Sequence, residues 1–363
     1  MAGSGGRVWT GVLRIAPSHG DHRVALRAAL SVGVPLLILW AVGRLDLSVY
    51  ASFGAFAALY GRNDGFADRV RMQASAGGIL LAAMLAGTAL AVIETPAIVS
   101  VLVVPVLASL VTLLAYAMQW HPPGALFVVF AIGATASIPA SATSFLDVLI
   151  VGGASVLFAL LVTVAVAIIV TRAIPTMAPS KRPQRVGNIA WEMAVTVGVA
   201  TMLAGVIGFL LLDSHWYWAM VGAVAAVSGA HVNARVIRGL QRLAGTLLGV
   251  LAAAGILALH LPPLAVIAIA VVCQVGAEMF VGRNYGIAMI FVTPLALLMV
   301  ELAAPIPADV LLRDRALETV IGVAAGTLVA VISATLRRTR TRPGPRRSAH
   351  SGNAAASVLC RST

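Results

Sequence analysis

The sequence predicts an all-α membrane protein with about twelve transmembrane helices, arranged as two parallel six-helix repeats. Three observations carry this prediction. Hydrophobic residues make up 60% of the 363-residue chain and charged residues only 10%, where a soluble domain carries about 25% charged residues. The apolar runs are unbroken and lack the period-2 alternation of a membrane barrel strand. Basic residues gather at alternate ends of those runs. With a mean hydropathy of +0.98, the apolar surface exceeds what one soluble core hides, so lipid must solvate most of it. Lipid offers the backbone no hydrogen bonds, and helices satisfy that demand within each segment.

Taken in order, the apolar runs bounded by charge, Pro and Gly place six helices at 24–42, 46–61, 74–93, 97–119, 124–138 and 146–171. Six more fall at 190–212, 216–230, 240–259, 263–281, 284–301 and 316–336. The domain plan is a cytoplasmic segment 1–23, a first repeat 24–171, a basic linker 172–189, a second repeat 190–336 and a disordered basic tail 337–363. The polar stretches are each shorter than the roughly 40 residues a soluble domain needs, which excludes a soluble catalytic or binding domain. Val8, Val12 and Ile15 would share one side of a short interfacial helix over Arg7 to Ile15.

Charge orients these helices. The net charge is +12, nearly all of it arginine, with Lys181 the lone lysine. Placing the N-terminus inside puts Arg14, Arg23, Arg62, Arg69, Arg71, the linker, Arg235, Arg238, Arg242, Arg283 and the tail in the cytoplasm. Outside lie Arg44, Arg313 and Arg315 among acidic residues such as Asp46, Glu94 and Asp213. This is the positive-inside pattern of a multi-pass protein of the plasma membrane, here a bacterial inner membrane, with both termini cytoplasmic. It explains the basic balance without nucleic acid.

The halves resemble each other. Phe53–Gly87 aligns without gaps on Val221–Gly255, matching Gly54 to Gly222, Gly61 to Gly229, Gln73 to Gln241, Gly77 to Gly245 and Gly87 to Gly255. Six helices per half is an even number, so the repeats are parallel. The second helix of each half is short, and fifteen residues span about 22 Å against a hydrocarbon core of roughly 30 Å. Such paired short segments either mark a transport path or extend into neighbouring semi-polar residues.

Several motifs bear on chemistry. Trp216, Tyr217 and Trp218 fall at the outer interface, where they either anchor in the headgroup region or line an exit path. Arg235, Arg238 and Arg242 share one helical face just before a membrane helix whose positive end faces the cytoplasm. They form either an anion site or a lipid-phosphate anchor. Gly245 and Gly249, like Gly322 and Gly326, form small-residue motifs for close helix approach. Arg315 precedes Gly322 as Arg238 precedes Gly245, and Arg71 lies one residue closer to Gly77. Arg315 either pairs with Glu318 or marks the outer end of an anion path.

Arg27, Glu192 and Glu278 lie in or near apolar segments, and intramembrane charge is by default functional. Arg27 and Glu192 can snorkel. Glu278 is the proton-coupling candidate, with Arg283 opposing its protonation. Cys273, Cys360 and seven scattered histidines supply neither a disulfide framework nor a metal site. No nucleotide motif and no paired catalytic constellation is present, so neither a cofactor nor enzymatic activity is expected.

The run Ser214-His-Trp-Tyr-Trp, the arginines after it and Gly245-Thr-Leu-Leu-Gly249 resemble the fusaric acid resistance-like family, which includes the aromatic acid exporters. So does Arg283-Asn-Tyr285, with Thr293 and Pro294 further along the same helix. The resemblance implies a membrane transporter that exports aromatic carboxylic acids, and it extends to plant malate-activated channels. The expected substrate contacts are Arg71, Arg238, Arg242, Arg315, Asn284, Tyr285, Thr293, Trp216 and Trp218. Tyr285 has a ring to stack on an aromatic solute and a hydroxyl to bond a carboxylate, although interhelical hydrogen bonding explains Asn284, Tyr285 and Thr293 equally well. The expected partners are a small organic anion and membrane lipid, without nucleic acid. An exporter driven by the proton gradient, an anion channel and a non-transporting scaffold compete, and pairing of two chains is left open.

Overall fold

A computed structural model describes residues 11–18, 20–122, 124–171, 181–212, 215–228, 232–304 and 306–340. Expectations for 1–10, His19, 172–180, Asp213, Ser214, 229–231 (with the Gly229 repeat match) and the tail from 341 onward lie outside the described residues. The helices are α1 (Asp21–Ala41), α2 (Ser48–Ala55), α3 (Phe66–Val92), α4 (Ala97–Met118), α5 (Leu126–Ala136) and α6 (Gly153–Thr171). They continue with α7 (Asn188–Leu211), α8 (Tyr217–Val227), α9 (Val232–Ala258), α10 (Pro263–Phe280), α11 (Tyr285–Ala303) and α12 (Ala308–Arg340). No strand occurs among the described residues.

Nine of these helices are long and apolar enough to cross a membrane among the described residues. This is fewer than the twelve spans expected. Leu45–Leu59, Leu126–Ala136 and Tyr217–Val227 are shorter apolar helices. The reason lies in burial. Every residue of α2 and of α8 is buried, whereas the long helices expose apolar side chains such as Leu102, Leu157, Val195 and Leu251. A helix enclosed by protein has its ends solvated by neighbours or by a cavity, and need not match the hydrocarbon thickness. The first short segment begins and ends in 3₁₀ turns, Leu45–Leu47 and Phe56–Leu59.

Three helices begin well before the expected position: α3 at 66 against 74, α9 at 232 against 240, and α12 at 308 against 316. In each case arginines had marked the boundary. Arginine is a good helix former, and Arg71, Arg235, Arg238, Arg242, Arg313 and Arg315 therefore lie inside helices.

The packing brings the short helices to the middle. α2 contacts α5 and α11, and α5 contacts α8. Around them α8 packs on α12, α9 on α11, α3 on α5 and α2 on α6. The halves meet through α4 against α7 and α1 against α10. The glycine motifs serve this packing. A Cβ on Gly245 would run into the carbonyl oxygen of Gly286, and one on Gly322 into that of Ala219. Both pairs of helices therefore approach at backbone distance.

In the N-terminal segment, residues 7–10 of the interfacial helix expected over Arg7 to Ile15 lie outside the described residues. Among the described residues only 11–13 are helical, and the segment docks on the second half. Gln241 Nε2 and Asn284 Nδ2 donate to the Val12 carbonyl at 3.0 and 2.9 Å, and Arg283 Nε donates to Ala16 O at 2.9 Å.

Candidate functional site

A cavity of about 330 Å³ lies among the three short helices and α9 to α12. Ligand pockets commonly begin at about this size. One wall is aromatic and comes from the first half together with α8. Tyr60 stands 6.1 Å from Phe127, Phe127 5.3 Å from Phe56, and Phe56 5.6 Å from Phe53. Phe53 packs edge-on to Phe130 at 4.9 Å, and Phe130 lies 4.4 Å from Trp218. These rings meet edge-on or tilted and form a continuous aromatic wall.

The same cavity is also lined by cations. Arg238 and Arg242 come from α9 and Arg315 from α12. Arg242 lies ten residues into α9, about 15 Å along its axis, and Arg315 seven residues into α12, about 10 Å. Sequence position had put Arg242 at the cytoplasmic surface and Arg315 at the outer one. The two helices enter from opposite ends, so both guanidinium groups reach the interior and share one cavity. Arg242 Nη1 donates to the Tyr285 hydroxyl at 2.7 Å, and Arg238 lies 3.9 Å over the Tyr285 ring. Arg315 lies 4.0 Å over the Trp218 ring. Both contacts stabilise a cation through the ring quadrupole without neutralising it.

Arg242 and Arg315 are almost fully buried. Arg238 Nε, Arg242 Nε, and Arg315 Nε and Nη1 find no protein acceptor. A buried charged donor left unpaired is unfavourable by several kcal/mol. The cavity is therefore bordered by three guanidinium groups that each keep at least one donor without a protein acceptor. Glu318 is fully buried, and neither of its carboxyl oxygens has a protein partner. The pairing of Arg315 with Glu318 therefore does not form at hydrogen-bond distance.

The other expected contacts are placed differently. Trp216 and Trp218 are both buried, so neither is an interfacial anchor, and only Trp218 lines the cavity. Asn284 is the N-cap of α11: its side chain accepts from Ile287 N at 3.0 Å and donates to the Arg14 carbonyl at 3.1 Å. Thr293 is buried against Gly249 on α9, away from the cavity lining. Arg71 donates to the Lys181 carbonyl and ties the linker to α3. Arg235 reaches Met193 Sδ at 3.2 Å instead of the cavity. Glu278 does line the cavity, but its partner is Arg62 at 3.1 Å rather than Arg283.

Residues 199–329 match the family described as fusaric acid resistance protein-like. The fusaric acid resistance-like segment holds Arg238, Arg242, Glu278, Tyr285 and Arg315, whereas the phenylalanine wall of Phe53, Phe56, Phe127 and Phe130 lies before it. With nine helices of spanning length among the described residues, the chain is a multi-pass membrane protein. No curated protein and no solved structure matches the chain.

Sequence reasoning missed the phenylalanine wall and Arg62. The four phenylalanines sit in short apolar helices where any large side chain reads as core. Arg62 reads as one more positive-inside charge, and no spacing ties it to Glu278, 216 positions away.

Proposed function

We propose that the protein is an exporter of aromatic or other lipophilic organic acids, driven by the proton gradient. One observation carries the reading: Arg238, Arg242 and Arg315 converge, with unpartnered donors, on a membrane-interior cavity walled by aromatic rings. A carboxylate would be held by the guanidinium groups and the Tyr285 hydroxyl, and its ring would stack along Phe53, Phe130 and Trp218. Glu278 is the carboxylate among the residues lining the same cavity and the candidate for proton coupling.

The reading includes a plasma-membrane location, cytoplasmic termini and two parallel repeats. Matching contacts support the repeat: the second helix packs on the sixth and the third on the fifth in each half. The fourth helix of each half also packs on the first helix of the other.

Everted vesicles containing the protein should accumulate 2-naphthoate, and a protonophore should abolish the accumulation. Arg242→Met should reduce uptake to the empty-vesicle level. Uptake that ignores the protonophore would remove the proton from the mechanism. Unitary naphthoate currents in a planar bilayer would make the protein a channel instead.

A further inference from the structure

Arg62 connects the two halves at one end of the cavity. It lies in the loop between α2 and α3, in the first half, and its Nη1 donates to Glu278 Oε2 on α10 at 3.1 Å. Its Nη2 reaches Asp21 Oδ1, at the start of α1, at 3.0 Å, and also donates to the Glu278 carbonyl. The side chains of Arg62, Glu278 and Asp21 are only 14%, 9% and 10% exposed. Gly282, just past the end of α10, lies against the same guanidinium. A single side chain thus joins a first-half loop, the first helix and the second-half helix that carries the cavity carboxylate.

We propose that Arg62, Asp21 and Glu278 form a proton-released latch that closes the cavity at its Glu278 end, with Arg62 as the positioning residue. The inference deepens the exporter reading and rests on it for direction. Every group facing Glu278 fits this role. Arg62 comes from the loop, Asp21 and Arg27 from α1, and Gln274 precedes Glu278 by one turn on α10. Arg27 is turned to the Ala58 carbonyl at 3.5 Å, Arg69 to the carbonyls of Gly61 and Asp64, and Arg283 to that of Ala16. From α11, Tyr285 is engaged by Arg242. Arg62 is therefore the one cation bonded to the Glu278 carboxylate among the described residues.

A proton on Glu278 removes one arm of a buried ion pair, the kind of change with the largest leverage on a closed contact. Glu278 lines the cavity, so a proton and an anion that enter that space meet there. Glu318 has no such access: it is fully buried and outside the cavity lining. In the cycle, an outside proton binds Glu278, Arg62 lets go, and the cytoplasmic end opens. The proton leaves to the cytoplasm, the anion enters, and ionised Glu278 recaptures Arg62 behind it. One proton moves inward for each anion moved outward.

The test reads cavity access without any substrate. Ser52 lines the cavity, so Ser52→Cys is placed in the full chain with Cys273→Ala and Cys360→Ser. The probe is a membrane-impermeant maleimide added to everted vesicles at one fixed pH. Glu278→Gln, which imitates the protonated carboxyl, and Arg62→Gln should each label about tenfold faster than the parent, a one-decade shift of population. Their combination should be no faster than either alone. Exchanging the charges with Arg62→Glu and Glu278→Arg, with Asp21→Asn added so that no two carboxylates face each other, should return labelling to the slow rate, which also separates latch release from misfolding. Parent-rate labelling in both single variants, or fast labelling that survives the charge exchange, overturns the latch. Vesicles that never take up 2-naphthoate sink the exporter and leave this result standing; unchanged labelling sinks the latch even where naphthoate is transported.

Discussion

Arg242 and Tyr285 join two adjacent helices through a 2.7 Å hydrogen bond in the lining of the cavity. The bond orders the guanidinium and leaves its Nε without a protein partner. The phenol accepts from Arg242, so its own proton remains for a ligand carboxylate.

Removing that hydroxyl should weaken ligand binding more than it weakens the fold. A hydrogen bond to a charged group contributes about 1.5–3 kcal/mol. Tyr285→Phe should therefore lower affinity for 2-naphthoate by at least about tenfold, read by calorimetry on the purified protein. Unchanged affinity would take Tyr285 out of the site.

Trp218 should report on Arg315. A desolvated cation–π contact is worth about 2 kcal/mol. Trp218→Phe retains a ring beneath Arg315 and should hold most of the thermal stability. Trp218→Leu should lower the melting temperature and weaken naphthoate binding together. Equal behaviour of the two variants would deny the contact any energetic role.

Close helix approach predicts a graded steric response. Gly245→Ala and Gly322→Ala drive a methyl group into the carbonyl oxygens of Gly286 and Ala219, and should destabilise by about 1–3 kcal/mol. Gly255 has open space around its Cβ position. Gly255→Ala should be neutral or stabilising by up to about 1 kcal/mol. Thermal denaturation in one detergent ranks the three.

Asn284 and Arg71 should behave as tethers, in contrast to their expected role in substrate contact. Asn284→Ala removes the α11 cap and two bonds to the N-terminal segment. It should cost about 1 kcal/mol and speed tryptic cleavage after Arg14. Arg71→Ala frees the Lys181 carbonyl and should raise hydrogen exchange at 181–185 without altering naphthoate affinity. A loss of affinity in either variant would return that residue to the site.

The helical class was legible because it depends on composition and run length alone. The order of apolar segments, the short second helices and the glycine contacts follow from local pattern in the same way. Helix starts were not legible where arginines lay inside the membrane segment, because charge on a sequence reads as an exit from lipid. Arg242 and Arg315 show the consequence: placed by sequence at opposite surfaces, they share one cavity because their helices enter from opposite ends. Arg62 and Glu278 are invisible as a pair for the same kind of reason, since nothing local links two residues 216 positions apart.

What the sequence alone determined is an apolar, multi-helical, arginine-rich chain that must live in lipid, since 60% hydrophobic residues admit no other solvent. Which arginines line the cavity was decided only by tertiary packing. Three short helices fill the interior, hold a cavity open between them and set Phe53, Phe130 and Trp218 against Arg242 and Arg315. Hydropathy is a property of each segment, and a binding site is a property of which segments meet.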